Sequence, residues 1–482
     1  MSRLRLKALF TSDLAEHGTT QIRVALGLTL AVMCLHFAIV SPDRLPDKDA
    51  LRYIDYAQNL ASHGVFGLSE GDPSVSVVPS NANAPLYPAF VSLFIVLDDD
   101  LQDSLTCIQN SADPDLCPRN LSLVFFVQYL IGVLGLICVF LFTRIGFGST
   151  LTAWLALASA FVSGVFTSYA ERILTENFTL TFFLAFTLCL LMLYRDQAKP
   201  WMWASGAGVL AALLTLTRPE YLYLSVGIIA VVVAAAIIRR RGARLIGLSF
   251  CAFLLVVTPW AIRNQVHFGN PTLTSGGYGE TILAYRISYN RMNFTEWAAS
   301  FIYWLPDFGD KAAAALLPRS AYQRLIVADP TSFTLTAQSE ILEPALAAMP
   351  REQVVGYWIR EEVLKKPLRF AWTSLAMTWR GLWVGKYWGL IGFFAYAWLT
   401  VHMLKRREYW FTLMSLPCWA LVALHAAVSV NVPRYNLALL AFYAPAWAWL
   451  IQGLLYRWAP GLKPGATAID PLAKTQPSDQ TA

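Results

Sequence analysis

Long apolar stretches follow one another along most of the chain, separated by short polar breaks, and two longer mixed segments interrupt the series. A helix needs about 20 mostly apolar residues to cross the hydrocarbon core of a bilayer. By that measure spans are predicted at 21–41, 120–143, 149–168, 175–194, 201–217, 220–238, 245–262, 386–404, 408–429 and 436–455. The fold class that follows is all-α, a polytopic transmembrane helical bundle of about ten spans. The first stretch is too long for the apolar core of a signal peptide and has no small-residue cleavage pattern after it, so it is read as a span.

The two interruptions run from about 42 to 119 and from about 263 to 370. Each is long for a loop and is expected to carry structure of its own. In 48–62, Leu51, Ile54, Ala57, Leu60 and Ala61 recur at helical spacing, which predicts an amphipathic helix lying in the interface plane. Pro85–Leu97 is apolar but too short to span easily and reads as a re-entrant or interfacial piece. Segment 371–385, rich in Trp, reads as a further interfacial helix. Residues 457–482 hold Pro, Gly, Ser and Thr without an apolar period and are expected to be disordered. The resulting organisation is a terminal segment at 1–20, one membrane domain over 21–456, and a tail.

Composition agrees with the pattern. Hydrophobic residues make up 56% and charged residues only 14%, against about 25% charged in soluble domains. That excludes a soluble globular enzyme, a disordered chain and a disulfide scaffold. The net charge of +6 is no nucleic-acid footprint, because basic residues gather at one set of helix ends. Arg3, Arg5 and Lys7 precede the first span. Arg239, Arg240, Arg241 and Arg244 follow the sixth, and Lys405, Arg406 and Arg407 follow the eighth. In a ten-span order all three groups fall on one side, and the positive-inside rule makes that side the cytoplasm. The two long segments then face outward.

Nucleotide chemistry has no support: there is no complete phosphate-binding GxxxxGK[ST] loop and no strand-borne GxGxxG. Six His without HxxxH spacing give little support to a zinc site. Five cysteines, Cys34, Cys138, Cys189, Cys251 and Cys418, fall in spans, where Cys is an ordinary small apolar residue. Cys107 and Cys117 lie in the outward segment, where a disulfide between them is possible in an oxidising compartment. Acids and arginines collect at the outward ends of helices: Asp49, Arg52, Tyr53 and Asp55, then Asn59, His63 and Pro85-Leu86-Tyr87-Pro88; Glu171-Arg172 and Thr175-Glu176-Asn177; Thr217-Arg218-Pro219-Glu220; Pro259-Trp260 through Arg263-Asn264 and Phe268-Gly269-Asn270; and Arg434-Tyr435. Lys386 adds a point charge on the same side. Convergence of such groups on one membrane face suits a charged lipid head group.

Taken in order, D-x-x-x-Y with a following A-x-N-L and PLYP, then TE, LTRP, PW-x-RN-x-x-x-FGN and PRY, resembles the GT-C superfamily of polyprenyl-phosphate-sugar-dependent membrane glycosyltransferases. The similar branch is the one holding protein mannosyltransferases and the lipid A aminoarabinose transferase. The likeness runs from about 21 to 455. It implies that Asp49 is the catalytic base, that Glu176 is an acid facing the site, and that Arg218, Arg263 and Arg434 occupy the family's arginine positions. Many members carry Asp-Glu where this chain has Asp49-Ala50, so the second carboxylate is absent, and Asp55 further along the helix is the possible substitute. The resemblance also implies a bacterial inner membrane, an active site facing the periplasm, a polyprenyl-phosphate-linked sugar as donor and a glycan, lipid or protein acceptor, with no separate cofactor.

The chemistry asks for a carboxylate to take the acceptor's proton and for cations to meet the charge growing on the leaving phosphate. Arg218, Arg263, Arg434 and Lys386 are the candidates for the second task. Other readings of the same residues stay open. Arg218, Arg263 and Arg434 equally suit interfacial snorkelling, Glu176 a helix N-terminus, and Asp55 a solvated helix face. Tyr53 and Tyr87 read as packing or belt residues, and His63 and His267 have no evident partner. A lipid-linked oligosaccharide polymerase or ligase, a flippase or transporter, and a non-catalytic assembly subunit are the rival functions. Transporters usually show inverted repeats and broken midplane helices, whereas these spans are nearly charge-free.

Overall fold

The computed structural model describes residues 18–42, 44–46, 48–69, 77–111, 113–195, 199–225, 227–228, 243–275 and 279–458. Arg3, Arg5, Lys7, Arg239, Arg240, Arg241 and the tail beyond 458 lie outside these residues, as does most of the predicted span at 220–238. The described residues are helical almost throughout, and the chain divides into two compact units. The first comprises 1–275, 395–414 and 441–482, and the second 276–394 and 415–440.

Eight helices among the described residues are long and apolar enough to cross a membrane. In chain order the first unit opens with α1 (Gly18–Val40) and α2 (Lys48–His63), then a two-stranded ribbon of β1 (Gly67–Leu68) and β2 (Val78–Pro79), and α3 (Leu86–Leu97) and α4 (Asp99–Asn110). There follow α5 (Ser122–Phe147), α6 (Thr150–Val162), α7 (Val165–Ala170), α8 (Glu176–Tyr194), α9 (Pro200–Thr217) and α10 (Ala243–Phe268). Sequence punctuation sets the ends. Gly148, at φ 68°, stops α5 in the left-handed region, and Ser149 accepts from the Thr152 N–H to start α6, as helix caps require.

The predicted span at 149–168 is not one continuous helix. It ends at Val162, turns through Gly164 at φ 68°, and resumes as the six-residue α7. Only glycine adopts that backbone without strain. Thirteen residues rise about 20 Å at 1.5 Å each, short of a hydrocarbon core of about 30 Å.

Helix α2 forms over the predicted amphipathic stretch. Ile54 and Ala57 of its stripe, with Ala50 beside them, are buried in one cluster with Tyr87, Val91, Leu101 and Leu105. The apolar face therefore packs against α3 and α4, meeting Tyr87, Val91 and Ile95 of α3, while Leu93, Val96 and Leu97 of the same run stay exposed. A disulfide joins Cys107 near the end of α4 to Cys117.

The second unit carries short helices: α11 (Gly279–Ser288), α12 (Phe294–Tyr303), α13 (Gly309–Leu316), α14 (Phe333–Ala337), α15 (Glu343–Ala348) and α16 (Arg351–Trp358). The longer α17 (Pro367–Gly381) includes much of the Trp-rich segment. Their cores gather Tyr289, Trp304, Phe333 and Met377 in one cluster and Ile287, Ile341, Val354 and Trp358 in another. Arg286 is fully buried there. Its guanidinium donates to the Ala426 and Phe370 carbonyls at 2.6 and 3.2 Å, to Asn290 Oδ1 at 2.8 Å and to Ser374 Oγ at 2.7 Å. A buried cation survives only when its donors are met this fully. Three further long helices follow among the described residues: α18 (Tyr387–Lys405), α19 (Trp410–Val428) and α20 (Leu440–Trp458).

Candidate functional site

The site in the first unit is built from α2, the start of α8 and the end of α9. Asp49 sits in the first turn of α2, half-buried. One turn on, Tyr53 projects from the same side of the helix, since residues i and i+4 share a face. Its ring meets Tyr87 edge-on at 5.4 Å. Burial, followed by the charge of Glu176, pushes the Tyr53 phenol up to about 12, while Arg218 and a hydrogen bond with Thr175 pull the other way; Asp49 adds a smaller upward push. Tyr53 is thus the residue that feels Asp49, Glu176 and Arg218 together.

Glu176 is 4% exposed and opens α8, where its carboxylate offsets the helix dipole. Its neighbour Asn177 donates to the Gln128 carbonyl at 2.6 Å, and Gln128 in turn accepts from the Tyr87 hydroxyl at 2.9 Å. The bend after α9 brings Arg218 to the same place. Pro219 forces the preceding residue out of the helical region, and Arg218 is extended at φ −145°, ψ 114°. Its Nε donates to Glu220 at 2.7 Å and its Nη1 lies 3.8 Å from Glu176. Burial opposes its charge, but the Glu220 and Glu176 carboxylates outweigh that and hold the guanidinium above its usual range.

Other predicted residues are engaged elsewhere. Asp55 accepts from Asn59 Nδ2 at 3.0 Å and from Ser69 Oγ at 3.2 Å, away from Glu176 and Arg218. Arg263 donates to the Phe66 carbonyl at 2.7 Å and the Ser80 carbonyl at 3.1 Å, and stacks over Trp260 at 4.8 Å. It ties the ribbon region to α10. Lys386 and Arg434 belong to the second unit. Lys386 is exposed and pairs with Asp307 at 2.8 Å, which raises its ammonium above the usual range. Arg434 lies against the Tyr435 ring at 5.4 Å. Among the described residues no group of three His, Cys, Asp or Glu is placed to hold a metal ion.

Tyr53 and Tyr87 stood among the outward groups but were read as packing or belt residues, and Gln128 was passed over. The signal for Gln128 was its place as a lone amide in the apolar run of α5. A second cluster on this unit joins Tyr129, whose hydroxyl donates to Glu171 at 2.7 Å, with His36 at 3.0 Å.

Residues 116–262 match the family model described as dolichyl-phosphate-mannose-protein mannosyltransferase. The likeness drawn from the motifs is therefore present. The matched stretch holds Glu176, Arg218 and Glu220; Asp49, Arg263, Lys386 and Arg434 lie outside it. Fold and match together define a multi-pass, all-α membrane protein with a mannosyltransferase-type stretch. Among solved structures, ArnT from Cupriavidus metallidurans bound to undecaprenyl phosphate is similar at 13% identity and a TM-score of 0.36, over 92% of this chain and 80% of that one. The archaeal oligosaccharyltransferase AglB from Archaeoglobus fulgidus, in complex with an inhibitory peptide and a dolichol-phosphate, is similar at 13% identity and a TM-score of 0.46. That likeness covers 96% of this chain and 53% of AglB. No curated protein sequence matches the chain.

Proposed function

We propose that the chain is an integral-membrane glycosyltransferase. It moves a sugar from a polyprenyl-phosphate carrier to an acceptor of the cell envelope, at the periplasmic face of a bacterial inner membrane. The acceptor hydroxyl oxygen attacks the anomeric carbon and its proton passes to the Asp49 carboxylate. The bond from that carbon to the phosphate oxygen breaks, and its electron pair leaves with the polyprenyl phosphate. One displacement inverts the anomeric centre. Arg218 meets the leaving phosphate, and in the resting state Glu176 and Glu220 hold its guanidinium charged and oriented. Arg434 and Lys386 are further candidates for the phosphate. Arg263, with donors on two backbone carbonyls, supports the outer loop and is a further candidate for the phosphate. The lipid tail lies among the apolar helices.

The observation that supports this reading is the grouping of Arg218 with Glu176 and Glu220 at helix ends inside the matched stretch, with Tyr53, one turn from Asp49 on α2, in the field of Glu176 and Arg218. Mass spectrometry of envelope glycans from cells with and without the chain tests it. One sugar increment is expected to vanish with the chain. Unchanged glycans, with intact lipid-linked sugar crossing vesicles that hold the purified chain, would favour a transporter instead.

A further inference from the structure

A cavity of about 450 Å³ opens on the first unit between α2 and α4, within the range of about 300–1,000 Å³ common for small-ligand sites. It lies on another side of α2 from Asp49 and Tyr53. At about 100° per residue, Asp55 points about 120° from Asp49 and about 160° from Tyr53, and Asn59 about 80° and about 120° from them, while the edge at Arg52 and His63 comes within about 60° of Asp49. The wall is almost wholly polar. Asp55, Gln58, Asn59 and Ser62 come from α2, and Gln102 and Gln109 from α4, while Leu51 and Val77 are its sole aliphatic members. Gln58, Asn59 and Gln109 already donate to Thr106, to Asp55, Gly67 and Ser69, and to the Leu51 carbonyl; a lipid tail or apolar ligand would leave their remaining hydrogen-bonding positions and the rest of this polar wall unmet, at a cost of about 1–3 kcal/mol for each group. A ligand that both donates and accepts at many points satisfies them. Asp55 can only accept, whereas the amides do either. The one arginine on the wall, Arg52, balances the one carboxylate, Asp55, so among the described residues the wall carries no net charge when His63 is neutral.

The cavity is also built to keep its shape. Asn59 is buried and its Nδ2 reaches Asp55 at 3.0 Å, the Gly67 carbonyl at 3.1 Å and Ser69 Oγ at 3.1 Å. Gln58 donates to Thr106 across the two helices at 2.9 Å, and the Cys107–Cys117 disulfide anchors the end of α4 beside it. Burial lifts the Asp55 carboxyl above its usual range, against the hydrogen bonds from Ser69 and Asn59.

We propose that this cavity binds one uncharged saccharide unit of the acceptor, so that α2 presents catalytic residues on one side and an acceptor subsite on another. The assignment to the acceptor rests on the proposed glycosyltransferase function; the saccharide site itself does not.

The test uses the full chain in lipid nanodiscs with methyl α-D-mannopyranoside, N-acetyl-D-glucosamine and mannose 6-phosphate as probes, followed by saturation-transfer NMR titration. At least one uncharged probe is expected to bind saturably, and more tightly than the phosphate. Ser62→Trp, on an exposed position, fills the cavity and is expected to weaken binding at least tenfold, as is Asp55→Asn. Absence of saturable binding, preference for the phosphate, or binding unchanged in both Ser62→Trp and Asp55→Asn overturns the site. Saccharide binding without sugar transfer in any assay sinks the transferase reading and leaves the site standing.

Discussion

Glu176 and Arg218 face each other at 3.8 Å from the first turn of one helix and the bend beyond another. Glu176 is buried and Arg218 partly so, each favours the other's charge, and Glu220 completes the set at 2.7 Å. Removing one partner of a buried pair costs about 3–5 kcal/mol, because the other is left uncompensated. Arg218→Met is therefore expected to lower the thermal midpoint in detergent strongly and to abolish transfer. The double variant Glu176→Gln with Arg218→Met is expected to recover much of the stability and none of the transfer. Thermal unfolding and a transfer assay on the same preparations check both.

Tyr53 gives the site a pH signature. Its folded value of about 12 lies above the free phenol's value near 10, so the neutral phenol is favoured in the folded state. That contribution is whole below about pH 10 and is lost as pH rises toward about 12. Tyr53→Phe is expected to flatten the fall in stability between those values, measured by thermal unfolding across the alkaline range.

Arg263 is expected to matter for the outer loop. Hydrogen bonds to charged groups contribute about 1.5–3 kcal/mol each, and Arg263 makes two to backbone carbonyls. Arg263→Lys cannot reproduce the forked contact. Faster protease cleavage in the outer loop, or faster labelling of a cysteine introduced at Ser80, is the expected result, with a smaller loss of transfer than Arg218→Met shows.

The disulfide closes a short loop, with Cys107 and Cys117 ten residues apart. Bridges of this kind contribute about 2–4 kcal/mol. Replacing both by Ala is expected to lower the thermal midpoint and to weaken saccharide binding between α2 and α4. Because Cys107 is on α4 while Asp49 packs from α2, residual transfer is expected to persist; thermal unfolding and the NMR titration follow the two effects.

The spans were legible because about 20 apolar residues in a row have few other uses. The break at Gly164 was hidden, since a glycine inside an apolar run does not announce a left-handed turn. The carboxylate and arginine candidates stood out as charges at helix ends, yet their partners did not. Arg263 and Arg218 look alike in sequence; one is spent on the carbonyls of Phe66 and Ser80 and the other faces two carboxylates. Arg286 drew no notice in an ordinary polar segment, because burial of a single guanidinium depends on carbonyls contributed from distant residues. Tyr53 was read as packing because its ring does pack; its hydroxyl environment is a tertiary property.

The central claim is that the carboxylate of Asp49 accepts the acceptor's proton. The most direct measurement is the rate of sugar transfer from a polyprenyl-phosphate donor by Asp49→Asn, at matched protein content in the membrane. Loss of a general base typically costs about 10²–10⁴-fold, and a fall of that size with wild-type thermal stability is the predicted result. A wild-type rate in Asp49→Asn would contradict the account.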